Sequence, residues 1–134
     1  MKAVYVGRHT LLPAQEQGVR ELGLEIVKRI ENLPEGQELT KLVSSLKNEG
    51  VEAVITVALP PHLLASLSKA FRVFVFEMRS STVQTIAEAE KWVTEEPTKR
   101  TYLPGRPGEP VRLLEFTGIN EVRVIIESKK VWTA

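Results

Sequence analysis

Short, almost continuously apolar runs that alternate with helical segments are the feature that most restricts the fold of this chain. Residues 51–59 and 71–76 are rich in Val, Ile, Leu and Phe on both alternating faces, and they are too short to be core helices. Such runs are typical of strands that helices cover on both sides. The segment between them opens with Pro60 and Pro61, which suit the first turn of a helix. A strand, a helix and another strand in succession predict a crossover between parallel strands.

The same alternation extends toward the amino terminus. Residues 2–7 and 24–30 are predicted strands, and a helix is predicted to begin at Pro13. A second helix is indicated by an apolar stripe made by Leu39, Leu42, Val43 and Leu46. We therefore predict an α/β fold for residues 1–134: a single Rossmann-like or flavodoxin-like domain with a mostly parallel sheet in the order 2-1-3-4 and helices on both faces.

The last third of the chain predicts a helix, a loop and a hairpin. Ser81, with Gln84 three residues later, has capping-box spacing and predicts the start of a fourth helix. Residues 97–110 hold four prolines and two glycines and are predicted to form a loop. Residues 111–116 and 122–126 predict two strands of a terminal β-hairpin. The second strand has one apolar face, made by Val122, Val124 and Ile126. We expect a second copy of the chain to cover that face in a homodimer.

Composition excludes several classes of site. The chain has no cysteine, which rules out disulfides, thiolate metal ligands and cysteine nucleophiles. All 17 acidic residues are glutamate, and they are scattered, so we expect no metal site and no cofactor. A net charge of +1 predicts no general attraction to nucleic acid. A local nucleic-acid contact stays open for residues 99–106, which combine three cations with Tyr102.

The sequence also predicts a location and a kind of source. No secretory leader and no apolar stretch of bilayer-spanning length is present, so we expect a cytoplasmic protein with no membrane contact. Abundant Glu, Lys and Arg, together with eight prolines, indicate a thermophilic source.

Both histidines of the chain fall where parallel strands are predicted to end. In open parallel sheets, ligands bind at the carboxyl ends of the strands where the strand order reverses, here between the first and third strands. Residues 7–10 and 59–62 border that crevice, and residues 79–81 follow the next strand. The predicted ligand-binding residues are Arg8, His9, Thr10, His62, Arg79 and Ser80.

This set has the chemistry of an anion site. Arg8 and Arg79 would clamp a phosphate or carboxylate with paired donors, and neighbouring helix N-termini would add backbone N–H groups. Histidine titrates near neutrality, so His9 and His62 are candidates for general acid or base catalysis. Ordinary roles stay open for the same residues: a loop hydrogen bond for His9, a helix cap for His62 and an ion pair for Arg8. No dinucleotide fingerprint, Walker A sequence or Gly-x-Ser-x-Gly elbow is present.

The segment that follows the first strand supports a resemblance. Residues 8–15, Arg-His-Thr-Leu-Leu-Pro-Ala-Gln, fit an Arg-His-x-Leu-x-x-x-Gln pattern. In this the chain resembles a group of small proteins of prokaryotes and their phages for which no activity is established. The likeness extends to residues 57–64 and 114–124, and thus to most of the chain, but Leu12 stands where a capping Thr or Ser is expected. The resemblance implies no particular function; it implies positions to test, namely Arg8, His9 and His62.

Three functions follow from these patterns as hypotheses. The first is a small binding protein that holds an anionic or nucleotide-like ligand at the strand ends. The second is a metal-independent hydrolase or phosphodiesterase that uses His9 or His62 as acid or base. The third is a protein–protein interaction module of a phage or mobile element, in which an exposed apolar patch carries the function.

Overall fold

The computed structural model describes residues 1–125 and 127–134. The strands are β1 (Lys2–Val6), β2 (Glu25–Ile30), β3 (Val51–Thr56), β4 (Arg72–Val83), β5 (Arg100–Leu103) and β6 (Val111–Val122). The helices are α1 (Pro13–Glu21), α2 (Gln37–Asn48), α3 (Pro61–Ser68) and α4 (Ile86–Glu95). All of these strands belong to one sheet in the order β2-β1-β3-β4-β6-β5.

The first four strands form the parallel part of the sheet, in the predicted order. Helices cover both faces of this part, which explains why β1 and β3 are apolar on both sides. On one face, Val19 of α1 packs in a core with Tyr5. On the other face, Leu46 of α2 and Leu67 of α3 pack in a core with Val54. Each fully buried Val or Leu side chain contributes about 1.5–3 kcal/mol, so these two layers hold the parallel part together.

The prediction of a mostly parallel, flavodoxin-like sheet is wrong. β6 pairs antiparallel to β4 from Val73 to Val83, and β5 pairs antiparallel to β6. The apolar run of β4 ends at Phe76, but the strand continues because residues 77–83 also pair with β6. The sheet is therefore mixed, and its antiparallel half curls into a half-barrel.

The predicted terminal hairpin does not form. Residues 117–120 lie inside β6, which runs without a turn along its whole length. A β-bulge opposite Glu77 and Met78 accommodates Thr117. The Thr117 hydroxyl lies 3.1 Å from the main-chain oxygen of Glu77 and 2.8 Å from its carboxylate. These contacts keep the strand continuous where its composition indicates a turn.

The homodimer prediction rested on an alternating apolar strand at residues 122–126. Val122 ends β6, and Val124 and Ile125 lie after it in an irregular, exposed segment. Ile126 lies outside the described residues. The dimer therefore loses the strand on which it was based and stays an untested prediction.

The start of α4 and the position of β5 also differ from the predictions. Ser81 is a residue of β4, and the cap of α4 is Thr85, whose hydroxyl accepts a hydrogen bond from the Glu88 N–H at 3.2 Å. β5 lies inside the predicted loop of residues 97–110. α4 covers the antiparallel half through a small core of Val83, Ala89, Trp92, Tyr102, Val111 and Leu113. Because side chains alternate along a strand, Val83 shares its face of β4 with Val73, so α4 lies on the α2 and α3 side of the sheet.

Candidate functional site

The carboxyl ends of β1 and β3 form a crevice, because the chain leaves these strands toward opposite faces of the sheet. β1 leads to α1 on one face, and β3 leads to α3 on the other. Where they diverge, the buried Thr56 hydroxyl donates to the main-chain oxygen of Val6 at 3.0 Å and joins the strand ends. Two cavities open from this point, with shared walls made by Tyr5, His9, Val57 and Ala58.

The larger cavity, called the front cavity here, lies on the α1 side and has a volume of about 610 Å³. Its floor is the antiparallel half of the sheet, where Met78, Leu114 and Thr101 project from β4, β6 and β5. Its roof is formed by residues 9–13, which link β1 to α1. The volume falls within the roughly 300–1,000 Å³ of small-molecule sites, and the walls are mostly apolar.

Arg112 is the one formally charged side chain among the described residues that line the front cavity. Its Nε donates to Ser80 Oγ at 3.1 Å, which holds the guanidinium against β4. Among the described residues, no acceptor is bonded to its two terminal nitrogens. Arg112 is exposed, and its guanidinium lies at the edge of a mostly apolar cavity, where such a fork is suited to a carboxylate or a phosphate. Arg112 was not among the predicted site residues.

Gln15, in the first turn of α1, is a buried polar residue of the same cavity, with 4% of its surface exposed. Its Oε1 accepts a hydrogen bond from the Leu12 N–H at 2.8 Å. Its Nε2 faces the thioether sulfur of Met78 at 3.6 Å, and a thioether is a weak acceptor. The cavity therefore contains an amide donor that the protein only partly satisfies.

Tyr5 positions the roof of the front cavity. It is buried, and its hydroxyl donates to the main-chain oxygen of His9 at 3.1 Å. Burial raises the pKa of Tyr5, and the nearby guanidinium of Arg29 offsets part of that rise, so the phenol keeps its proton at neutral pH. Arg29 also donates to the main-chain oxygens of Gly7 and Arg8. These bonds hold His9 and Thr10 at the mouth of the cavity.

The helix N-termini at the crevice have few N–H groups left for an anion. At α1, the Leu12 N–H is bonded to Gln15, Pro13 has no N–H, and the Ala14 N–H donates to the main-chain oxygen of Thr98 at 3.0 Å. At α3, the N-cap Pro60 and the first helical residue Pro61 are both prolines and have no N–H. The expectation that helix N-termini cradle a phosphate therefore lacks its donors at these positions.

Arg8 and His62 lie away from the front cavity. Arg8 lines the smaller cavity, called the rear cavity here, which has a volume of about 390 Å³ on the α2 and α3 side. Its guanidinium donates to the side-chain oxygen of Asn32 at 2.8 Å. His62 is exposed, and its Nε2 lies 3.2 Å from a carboxylate oxygen of Glu35. Both side chains thus have local partners on the opposite side of the crevice.

Arg79 and Ser80 lie in β4, not in a loop at its end. They pair with Glu115 and Leu114 of β6. Because side chains alternate, Arg79 points to the face away from the front cavity, whereas Ser80 shares the cavity face and bonds Arg112. Of the predicted residues, His9 and Thr10 therefore line the front cavity, and Ser80 lies beside it through its bond to Arg112. Arg8 lines the rear cavity together with His9. His62 and Arg79 are not among the described residues that line either cavity.

Part of the missed site had a signal in the sequence. Arg112 and Leu114 alternate with Val111 and Leu113 in a predicted strand, which places the cation on a partly apolar face. Arg112 pairs with Thr82 of β4 and Leu103 of β5, and the sequence predicts a helix and a loop at these two positions. The sequence therefore predicts no strand beside Arg112. Gln15 ends the Arg-His-x-Leu-x-x-x-Gln pattern, but nothing in its neighbours predicts its burial, because a glutamine in the first turn of a helix is usually exposed.

Among the described residues, no three His or Glu side chains gather in a way that would hold a metal ion. No helix of the described part has the length and apolarity to cross a membrane. No protein-family model, no curated protein and no solved structure matches the chain, so the resemblance to small prokaryotic and phage proteins stays a prediction.

Proposed function

We propose that this protein binds a small, largely apolar acid in the front cavity, with the acidic group at Arg112. The observation that carries the proposal is that the guanidinium of Arg112 faces the cavity with its terminal nitrogens free, within the described part of the chain, to bind an acceptor. It lines a mostly apolar cavity at an exposed position, one nitrogen is held by Ser80, and its terminal nitrogens have no bonded acceptor among the described residues. A cation presented in this way is matched by a carboxylate or a similar singly charged group.

The walls of the cavity support an apolar body for the ligand. Leu11, Leu12, Leu103 and Leu114 line it together with Met78. Burial of apolar surface on binding contributes about 25 cal/mol per Å², so such walls favour a hydrocarbon or aromatic ligand. No carboxylate lies among the described lining residues, so the local charge favours an anion over a cation.

Two of the earlier hypotheses have less support. A nucleotide carries several phosphate charges, whereas prolines and existing hydrogen bonds remove most of the N–H donors at the two helix N-termini beside the crevice. A hydrolase that uses His9 would need a partner to orient the imidazole, and His9 has no side-chain bond to a described residue. Binding of a small acid therefore has more support than nucleotide binding or hydrolysis.

The test compares two dyes that differ in one sulfonate. We would titrate the protein with 8-anilinonaphthalene-1-sulfonate and with the neutral N-phenyl-1-naphthylamine and follow dye fluorescence. Wild type is expected to bind both, and Arg112→Gln is expected to bind the sulfonate about 10- to 100-fold more weakly, since a charge-assisted hydrogen bond contributes about 1.5–3 kcal/mol. Binding of the neutral dye should stay within about twofold.

Arg79→Gln is the matched control, because it removes the same charge from the other face of β4. It is expected to leave the affinity for both dyes unchanged. Equal losses in the two arginine variants would mean that net charge alone attracts the sulfonate and would reject the role of Arg112. Failure of wild type to bind either dye would reject the front cavity as a ligand site and favour the interaction-module reading.

A further inference from the structure

The orientation of the Gln15 amide is fixed by the chain itself. If the oxygen and nitrogen were exchanged, the amide nitrogen would face the Leu12 N–H, and two donors would meet at 2.8 Å. The oxygen must therefore face Leu12, and the NH₂ group must face the cavity side, where Met78 is its partner. Burial of a donor with so weak an acceptor is unfavourable unless something else accepts its second hydrogen.

The two donors that line the cavity, Gln15 and Arg112, contact two residues on the same face of β4. Gln15 contacts Met78, and Arg112 contacts Ser80. Met78 and Ser80 are two residues apart on β4, so their Cα atoms are separated by roughly 7 Å. Gln15 and Arg112 thus contact β4 at positions whose Cα atoms are on the order of 7 Å apart, and we take this as the length scale of the ligand.

We propose that the ligand is an acid whose apolar body carries a hydrogen-bond acceptor at the end remote from the acidic group, and that Gln15 recognises that acceptor. This inference rests on the proposed acid site at Arg112. It narrows the ligand class to acids with a carbonyl, ether or comparable oxygen on the far side of a ring or short chain. A para-substituted benzoate with an acceptor at the 4-position spans the required distance. Gln15 is thus a specificity residue that favours such acids over hydrocarbon acids of the same size.

The test uses two acids of nearly equal size. 4-Acetylbenzoate has the remote carbonyl, and 4-isopropylbenzoate replaces it with a methyl group. Each acid would be titrated against protein loaded with 8-anilinonaphthalene-1-sulfonate, and the loss of dye fluorescence would give its affinity. Wild type is expected to bind the acetyl compound at least about fivefold more tightly, as one added hydrogen bond implies. Gln15→Met is expected to bind the two acids equally.

The Gln15→Met substitution also removes the acceptor of the Leu12 N–H, so the integrity of the cavity needs its own readout. Binding of N-phenyl-1-naphthylamine serves this purpose. If that dye no longer binds, Gln15→Glu replaces the variant, because its carboxylate keeps an oxygen for Leu12 and has no donor. At a pH that keeps this carboxyl ionised, its charge should weaken the binding of both acids, and the preference for the acetyl compound should disappear.

Several outcomes would overturn the inference without touching the acid site. Equal affinity of wild type for the two acids would show that no donor binds the carbonyl group of 4-acetylbenzoate. Arg112-dependent binding of the dye would not be affected by that result. A preference that persists in both Gln15 variants would assign the recognition to another residue. Failure of both acids to displace the dye would exclude this ligand class from the cavity.

Discussion

Replacement of Thr56 by valine tests whether the hydroxyl of this residue holds the two strands together at the crevice. Thr56 is 1% exposed, and its hydroxyl donates to the main-chain oxygen of Val6 at 3.0 Å; the oxygen of Ala58 lies farther away, at 3.5 Å. Valine has nearly the same shape but no donor. The variant therefore keeps the packing and leaves a buried carbonyl without this partner, at a cost of about 1–3 kcal/mol.

The added methyl group offsets part of that cost, so we expect a net loss of about 1–2 kcal/mol. For 134 residues, an unfolding entropy of about 2.1 cal/mol/K per residue gives about 0.28 kcal/mol/K, and Tm should fall by about 4–7 °C. Thermal unfolding followed by circular dichroism measures this shift. The same variant should also bind 8-anilinonaphthalene-1-sulfonate more weakly, because the strand ends carry the walls of the front cavity.

Thr82→Val is the matched control for this substitution. Thr82 is exposed on β4, where a β-branched residue is favoured, so its replacement should change the stability by less than about 0.5 kcal/mol. An unchanged Tm for Thr56→Val, or an equal fall in the two variants, would refute the assigned role of the Thr56 hydroxyl.

Two further predictions follow from the loop and from the antiparallel ladder. A Cβ at Gly7 would lie 2.6 Å from the Tyr5 hydroxyl, so Gly7→Ala should displace that ring and weaken binding of the anionic dye; unchanged affinity in a dye titration would contradict this. Hydrogen bonds from Arg72 lower the pKa of Glu121, and those from Asn120 and Thr117 lower the pKa of Glu77. Since a lowered carboxyl pKa stabilises the fold above the unfolded value, the free energy of unfolding should fall as pH drops below about 4.5, and urea titrations of Glu77→Gln should show a shallower fall.

The parallel half of the fold could be predicted because its signals are local. The apolar runs of β1, β3 and the first part of β4 reflect burial on both faces, and the stripe of α2 reflects packing on one face. Residues 77–83 lack that signal, because polar side chains such as Ser80 and Ser81 lie on surfaces that are only partly covered. Their strand conformation comes from pairing with residues of β6 that lie 28 to 41 positions later in the sequence.

The same reason explains the errors around β5 and in the candidate site. β5 is short and lies in a proline-rich stretch, but it is held by its ladder with β6 and by Arg100, which donates to the main-chain oxygen of Trp92 at 3.0 Å and lies 4.4 Å from its ring. The sequence predicted the crevice between β1 and β3 and two residues of its rim, His9 and Thr10. It did not predict Arg112, because the floor of the cavity exists only when β4, β6 and β5 pair.

A two-dimensional ¹H–¹⁵N NMR titration with 8-anilinonaphthalene-1-sulfonate tests the central claim most directly, because it locates a bound acid on the chain. We expect the largest amide shifts at residues 9–12, at Thr101 and at Arg112, with a further shift of the Gln15 side-chain amide. The amide chemical shifts of Asn32 and Leu63, which line the rear cavity, should not change. Shifts concentrated at those rear residues, or at no defined surface, would contradict an acid site in the front cavity.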